Sequence, residues 1–505
     1  MHSMSSAPAK SRGGVWVLAA TILGSSMVFI DGTVVNVALP ALQSALNATV
    51  TDVQWVVEAY ALFLAALLLV GGSLGDLYGW RKIFLVGVVV FAGASAWCGL
   101  AADVGALIVA RGLQGVGGAL LVPGSLALIS SSFCAEERGK TIGTWSGFTA
   151  ITTAVGPVLG GWLIEHLSWR WVFFINVPLA VLVVLISLAR VSESRDEEMM
   201  QRLDGWGAGL ATVGLCGITF ALIEVGRGGG RALAAGVIGA VALAGFFVAE
   251  SRSDAPMLPL GLFRSRTFSG ANLMTLFLYG ALSSMLFFLP LDLIQVQHYS
   301  ATQAGAALLP LILLIFALSR WSGGLMVKYG ARLPLIVGPL IAGVGFGLLI
   351  RTGVGGSYWS TVFPAVIVLG LGLAVSVAPL TTTVMSSIDQ SRAGVASGIN
   401  NAVSRVAGLL AVAVMGLVFS TTFNRRLGRG LDELRLPVAE RQGVEAQRSR
   451  WAAAKSDDVR VQWLIGESFV SAYGVVLWIA VGLSMASALS AALLIEARPT
   501  PARVE

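Results

Sequence analysis

Fourteen apolar stretches, each long enough to cross a lipid bilayer, fill most of this 505-residue chain. A transmembrane helix needs about 20 mostly apolar residues, because the hydrocarbon core of a bilayer is roughly 30 Å thick. Only 12% of the residues are charged and 56% are hydrophobic, which excludes an ordinary soluble domain. The sequence therefore predicts an all-α integral membrane protein with 14 spans.

Lysine and arginine are unevenly distributed over the turns between these spans. With the N-terminus inside, the inner segments hold seventeen of them and the short outer turns only four. Basic residues accumulate on the cytoplasmic side of membrane proteins, so this bias places both termini in the cytoplasm. The net charge of +6 is spread over many short turns and does not indicate nucleic acid binding.

Three landmarks recur at almost the same offset of 250 to 255 residues, which indicates an internal duplication. The pairs are Pro40 and Pro290, Gly79 and Gly330, and Gly139 and Gly394. The predicted organisation is a six-helix half over 1–190, an inserted linker with two extra spans over 191–267, and a second six-helix half over 268–505. Two helical halves around a midplane cavity form a known transporter plan. The two inserted spans are expected to lie outside the transport core.

The segment 422–466 is predicted to be a long loop on the outside. Val459 and Trp463 stand four residues apart, so part of the loop could form an amphipathic helix on the outer membrane surface. A flexible solvated loop is the alternative.

Five motifs occur in order along the chain. They are Asp31–Pro40 in span 1, Gly72–Lys82 after span 2, Arg111–Gly118 in span 4, Gly156–Gly161 in span 5 and Trp169–Pro178 entering span 6. Together they resemble the motifs of the 14-span drug/proton antiporters of the major facilitator superfamily, over nearly the whole chain. The antiporter motif of that group would comprise Gly143, Gly147, Gly156, Pro157, Gly160 and Gly161. Thr152 departs from it, since the group usually has Gly there.

The resemblance implies the major facilitator fold, with two six-helix halves plus two inserted helices, in a bacterial cytoplasmic (inner) membrane. It implies a secondary active exporter that exchanges protons for drug-like small molecules. No cofactor and no metal site is expected, the partners are substrate, protons and the lipid bilayer, and the unit of function is expected to be a monomer. No ATP-binding Walker loop occurs in the sequence, which favours an ion gradient as the energy source.

Asp31 and Arg111 are the first candidate residues for proton coupling. Asp31 lies nine residues from the predicted end of span 1, and Arg111 lies at a similar predicted depth in span 4. A carboxylate inside a membrane is costly unless it has a partner or faces water. We therefore expect Arg111 to pair with ionised Asp31 and to be released when Asp31 is protonated. A fixed structural ion pair is the alternative.

Three further charged residues are predicted within spans. Glu58 in span 2 is a candidate second proton site or a counter-charge for a cationic substrate, and Asp292 in span 9 has the same two readings. Arg405 lies deep in span 13 and could offset these acids. Asp31, Glu58, Asp292 and Arg405 are the candidate substrate-binding residues, and an excess of acids would favour lipophilic cations. The alternatives are solvated acids in an outer vestibule and an arginine that serves only helix packing.

The turn Gly72–Lys82 is the candidate conformational switch, through Gly72, Gly75, Asp76, Gly79, Arg81 and Lys82. The resemblance implies that Asp76 holds the two halves together at the cytoplasmic face. Simple anchoring of the topology by the two basic residues is the alternative.

Three other functions are the alternatives. The first is a dedicated exporter of one endogenous metabolite, lipid or self-made antibiotic, which the motifs do not distinguish from a multidrug exporter. The second is a membrane sensor that transports nothing. The third is a membrane enzyme, for which the sequence has neither a nucleophile motif nor a His, Cys and acid set with metal-ligand spacing.

Overall fold

A computed structural model describes residues 14–193, 204–225, 229–253, 256–388 and 393–496. In these residues the chain is helical, without a strand, and 14 segments are long and apolar enough to cross a membrane. The predicted all-α membrane fold with 14 spans is thus confirmed. The two termini, which the sequence places in the cytoplasm, and parts of the linker 191–267 lie outside the described residues.

The first half is built from α1 (Gly14–Ala45), α2 (Val50–Tyr78), α3 (Trp80–Leu100), α4 (Val104–Ser132), α5 (Ala135–His166), α6 (Trp171–Phe174) and α7 (Asn176–Arg190). The inserted helices are α8 (Gly205–Glu224) and α9 (Gly229–Arg252). The second half is built from α10 (Arg266–Leu291), α11 (Ala301–Ala306), α12 (Leu309–Tyr329), α13 (Arg332–Leu349), α14 (Phe363–Ser386), α15 (Ala393–Leu434), α16 (Val438–Ala446) and α17 (Val459–Leu494).

Successive spans alternate between the two ends of the bundle. We call the end that holds the turn after α2 the Gly79 face, and the end where α1 stops the Ala45 face. At the Gly79 face, α2 of the first half and α12 of the second half each end at a glycine with positive φ, 100° at Gly79 and 75° at Gly330. A residue with a Cβ atom is strained in this region. The two turns therefore share one geometry as well as one sequence landmark.

Two pairs of helices make the largest contacts between the two halves, near the Ala45 face. α5 packs against α11, and α2 packs against α15. Across the first pair, the backbone N–H of Thr302 donates to Oε1 of Glu165 at 3.0 Å, and the Thr302 hydroxyl donates to Oε2 at 2.6 Å. These contacts close the space between the halves at the Ala45 face.

The inserted helices α8 and α9 form a hairpin that packs on itself and on the outside of the bundle. α8 contacts α2 of the first half and also α15 of the second half. Glu224, at the end of α8, accepts a hydrogen bond from Nε1 of Trp55 at 3.0 Å. The hairpin is therefore a cover over the place where α2 meets α15, which the sequence did not predict.

The structure corrects the prediction for 422–466. α15 continues to Leu434 as a single 42-residue helix, and Val459 and Trp463 belong to the first turns of α17 rather than to a separate surface helix. Between them, residues 448–453 fold back into the bundle and insert Trp451, which is only 2% exposed. The Trp451 ring lies 4.2 Å from that of Phe419, centroid to centroid. Burial of the indole explains why this segment is packed rather than a flexible loop.

Candidate functional site: a buried ion pair beside a central cavity

A cavity of about 370 Å³ lies between the two halves. Its walls come from α1 and α5 of the first half and from α10, α12 and α14 of the second half. The lining is mainly apolar, and its polar groups are uncharged: Thr33, Asn36, Ser146, Thr149, Thr153 and Tyr279. Such a wall suits a lipophilic molecule that is oriented by a few hydrogen bonds.

Asp31 and Arg111 form a fully buried ion pair within the first half. Nη1 of Arg111 lies 2.5 Å from Oδ2 of Asp31, and both side chains are at most 1% exposed. Arg111 also donates from Nε to the carbonyl of Val56 at 3.0 Å and from Nη1 to Oε1 of Gln114 at 2.7 Å. The contact expected from the similar depth of the two residues is present.

The carboxylate of Asp31 has further donors on its other oxygen. Nε2 of Gln114 donates to Oδ1 at 2.8 Å, and Nδ2 of Asn176 lies 3.5 Å from the same atom. Ser95 connects these amides, since its hydroxyl accepts from both of them and donates to the carbonyl of Phe173. A buried charge pair is stabilising only when its remaining donors and acceptors are satisfied, and this network satisfies most of them.

Aromatic rings cover the guanidinium of Arg111. Its Cζ lies 4.2 Å from the centroid of the Tyr60 ring and 5.9 Å from that of Phe173. The Tyr60 hydroxyl in turn donates to the carbonyl of Val28 at 3.4 Å. The rings exclude water and add a cation–π interaction, which is stronger in a desolvated site.

The ion pair is separated from the cavity by the width of α1. Phe29 and Thr33 line the cavity, and Asp31 is two residues from each of them, roughly 200° around a helix with 3.6 residues per turn. The carboxylate therefore points into the first half, away from the cavity. A proton that reaches Asp31 from the cavity has to cross or displace α1.

None of the four residues predicted to bind substrate is on the cavity wall. Glu58 is 1% exposed near the α2–α15 contact, and neither carboxylate oxygen has a hydrogen-bond partner. Asp292 is equally buried in the π-helical turn Asp292–Val296, also without a partner for its oxygens. Burial of both acids excludes a solvated vestibule for them in this conformation. Their contact with a substrate stays a prediction.

Arg405 contacts a residue of the cavity wall. Its guanidinium carbon lies 5.9 Å from the centroid of Phe29, which lines the wall. Among the described residues no carboxylate pairs with it. Its charge therefore lies just behind an otherwise neutral wall.

The turn Gly72–Lys82 shows which of its residues the geometry constrains. A Cβ atom at Gly75 would overlap the Trp80 ring, whereas Gly72 has open space around it. The backbone N–H of Arg81 donates to Glu193, and Nη2 donates to the carbonyl of Leu188 at the end of α7. Leu188 belongs to the first half and Glu193 to the start of the linker, so Arg81 fixes the turn to the end of α7 and the residues that follow it. Asp76 is half-buried on the last turn of α2, and Lys82 is exposed.

The predicted antiporter glycines divide into two groups. A Cβ atom at Gly156 or Gly160 would overlap Thr33 or Val34 of α1, and one at Gly161 would overlap the backbone of α11 in the other half. Gly305 of α11 meets the carbonyl of Pro157 in the same way. Gly143 and Gly147 have nothing within 4 Å. The crossing of α5 and α11 therefore depends on two glycines facing backbone.

Replacing Gly305 with Val should open the Ala45 face. The added side chain would overlap the α5 backbone and cost about 1–3 kcal/mol in the closed conformation. The measurement uses a chain with Asn36→Cys in the cavity wall and Cys134 replaced by Ser. A membrane-impermeant maleimide added at the Ala45 face should label the introduced cysteine roughly tenfold faster in the Gly305→Val variant, because a tenfold change corresponds to about 1.4 kcal/mol. Gly143→Val, where a side chain has open space, is the control, and equal labelling of both variants would contradict the prediction.

The sequence had identified Asp31 and Arg111 but had given no role to Gln114, Asn176 or Ser95. Gln114 and Asn176 lie within two of the five motifs, and Gln114 stands three residues after Arg111, a spacing that places both on one side of a helix. Ser95 had no signal, because a single serine in a membrane span is common and usually bonds to its own helix.

Comparisons with known proteins bear on the family and the fold of the chain. The family model of the Major Facilitator Superfamily matches residues 21–412. The tetracenomycin C resistance and export protein of Streptomyces glaucescens is 35% identical over 419 residues, which are 81% of this chain and 77% of that protein. The puromycin resistance protein of Streptomyces alboniger is 36% identical over 409 residues, covering 80% of this chain and 81% of that protein.

Solved structures with the same fold are more distant in sequence. A bacterial homologue of the human lysosomal transporter Spinster, in an inward-facing conformation, matches with a TM-score of 0.69 at 17% identity, over 97% of this chain and 99% of that chain. The D-xylose–proton symporter matches with a TM-score of 0.62 at 12% identity, over 96% and 98%. These similarities establish the fold alone.

Proposed function

This chain belongs to the Major Facilitator Superfamily, and on that premise we propose that it is a secondary active exporter that exchanges protons for a lipophilic small molecule. It is a multi-pass membrane protein, and its family and fold are those of transporters rather than enzymes. The proposal adds the driving ion, the residues that carry it and the class of substrate.

The observation that carries the proposal is the Asp31–Arg111 pair, a titratable carboxylate held inside the membrane immediately behind a cavity wall. Protonation of Asp31 would remove the charge to which Arg111 donates. The guanidinium would keep its bonds to Val56 and Gln114, while α1 would lose its strongest link to α4. Because α1 also forms part of the cavity wall, the charge state of Asp31 would act on the shape of the cavity.

The cavity wall supports a lipophilic substrate. Its neutral hydroxyl and amide groups can orient a molecule but cannot neutralise a charge. A preference for cations would have to come from the more distant carboxylates Asp31 and Asp292, and from Glu58 when it is ionised, opposed by Arg111 and Arg405. Equal efflux of a cationic dye and a neutral compound of the same size would leave the lipophilic class intact and remove the preference for cations.

We place the Gly79 face in the cytoplasm, because the basic residues predicted to be inside lie at that face. The closed Ala45 face would then be the outer one, and the cavity would open inwards. The membrane would be the bacterial cytoplasmic membrane, and the unit of transport a monomer. We assign Asp76 and Arg81 to the change between conformations, since their turn lies far from the cavity.

A dedicated exporter of one antibiotic is the second candidate. Two relatives are named for resistance to a single compound, tetracenomycin C or puromycin, whereas a third is a multidrug resistance protein, Stp of Mycobacterium tuberculosis, 34% identical over 83% of this chain and 78% of that protein. A panel of lipophilic compounds that includes tetracenomycin C and puromycin would distinguish a dedicated exporter from a multidrug exporter, because a dedicated exporter moves one chemical type.

The experiment that tests the proposal uses the purified protein in liposomes. A radiolabelled panel compound should exchange with unlabelled compound across the membrane, and an imposed pH gradient should then drive it uphill. Absence of exchange for every compound would favour a sensor that transports nothing. Exchange without any response to the pH gradient would contradict proton coupling.

A further inference from the structure

We propose that Glu58 is a second proton-binding site, which carries a proton while α2 and α15 are in contact and loses it when they separate. This inference rests on the proposed proton-driven exchange and adds a second titratable group to it. The region where α2, α15 and α8 meet is called the seam below.

Glu58 lies inside the seam. One turn before it, the Gln54 side chain packs on Gly416 of α15, where a Cβ atom would overlap the Gln54 amide. One turn after it, Leu62 packs with Leu409 of α15 and Leu215 of α8. The carboxyl is therefore enclosed by both halves and by the inserted hairpin.

Nothing in the described residues compensates a charge on Glu58. Both its oxygens and the Nε2 of Gln54 lack hydrogen-bond partners, and the two side chains are 1% and 4% exposed. An ionised carboxylate without a donor is too costly inside a membrane, whereas a neutral carboxylic acid is tolerated. The closed seam therefore holds the acid in its protonated form.

The charged groups on the helices around the seam are all engaged or distant. Arg111 on α4 is paired with Asp31 of α1, and Glu224 on α8 accepts from Trp55. Arg405 on α15 lies beyond Leu409, roughly 11 Å along the helix from the level of Glu58 at 1.5 Å per residue. None of them replaces a proton on Glu58.

The seam is also one of the two largest contacts between the halves at the Ala45 face. The cavity can open at that face only if α2 and α15 separate there, as alternating access requires. Separation would hydrate Glu58 and allow it to ionise, and closure would return it to the protonated form. Opening of the seam and release of one proton are then a single event.

The seam gives the inserted helices a function. Without α8, lipid would contact the α2–α15 junction from the side. α8 instead closes it with Leu215 and with Phe220, whose ring lies 6.0 Å from that of Trp55. The hairpin therefore keeps a titratable group in a defined, protein-lined environment.

The experiment measures the seam without substrate or gradient, so it is independent of whether proton-driven efflux is observed. Spin labels on Ala102→Cys and Val354→Cys, one in each half at the Ala45 face, report their separation by pulsed electron spin resonance, with Cys134 and Cys216 replaced by Ser. In wild type, raising the pH should increase the open fraction, up to tenfold in the open-to-closed ratio per pH unit for one linked proton.

Glu58→Gln should remain closed to higher pH, with the slope reduced by one proton. Glu58→Leu, which also has no proton to lose, should show the same reduced slope and serves if the Gln variant does not fold. Glu224→Gln is the matched control, because Glu224 already accepts a hydrogen bond from Trp55. This variant should retain the wild-type slope. An unchanged slope in Glu58→Gln and Glu58→Leu would overturn the proposal. Selective loss of cationic substrates by Glu58→Gln would also overturn it, because that loss would place Glu58 in contact with the substrate.

Discussion

Uphill efflux should disappear when Asp31 is replaced by Asn. The amide has almost the shape of the carboxylic acid and still offers an oxygen to Arg111, but it cannot take or release a proton. The substrate ratio that a pH gradient sustains across a proteoliposome membrane should fall to one, measured with a radiolabelled substrate at equal protein density.

The control for Asp31→Asn is exchange of labelled for unlabelled substrate without a gradient. Exchange should continue, because the cavity wall formed by Thr33 and Asn36 is unchanged. Asp31→Ala, which leaves Arg111 without an acceptor at this position, should lose both activities. Full uphill efflux by the Asn variant would show that the carboxylate only holds helices together.

Replacing Arg111 with Ala should destabilise the folded protein by about 3–5 kcal/mol, the range for a buried ion pair that loses one partner. The loss is large because Asp31 would keep its charge inside the membrane and Val56 and Gln114 would each lose a donor. Arg111→Lys should recover only part of the stability, because an ammonium group cannot donate in the directions of a guanidinium. Thermal or denaturant unfolding in detergent measures both variants.

The double variant Asp31→Asn with Arg111→Gln tests whether charge is the cause. It removes both charges and keeps polar groups of similar size, so it should be more stable than Arg111→Ala. Together with the single variants Asp31→Asn and Arg111→Gln, the double variant completes a cycle that isolates the pairwise effect. A stability of Arg111→Ala within about 1 kcal/mol of wild type would mean that the pair is not held as the structure shows it.

Much of the fold was predictable because the bilayer imposes a strong constraint on sequence. A helix that crosses lipid has to be apolar over most of its length, so span number and order can be read from composition alone. The turns at Gly79 and Gly330 were also predictable, because a turn that needs a positive φ usually has glycine at that position. The ion pair followed from two charges at one depth.

Other features depend on contacts between distant parts of the chain. Helix periodicity shows that Asp31 and Thr33 lie on different sides of α1, but not which side meets the cavity. The fold of 448–453 depends on Trp451 finding a pocket of aromatic rings from three helices. The sequence places Glu58 within a span, yet its enclosure by α8 and α15 has no local signal.

The central claim is that substrate export is coupled to proton movement in the opposite direction. It is tested most directly by trapping a pH-sensitive dye inside proteoliposomes and moving substrate alone, with no pH gradient imposed and with the membrane potential clamped. Substrate entering the vesicle should drive protons out, and Asp31→Asn should abolish the dye signal while substrate still exchanges. Net substrate movement with no change in internal pH would contradict the claim.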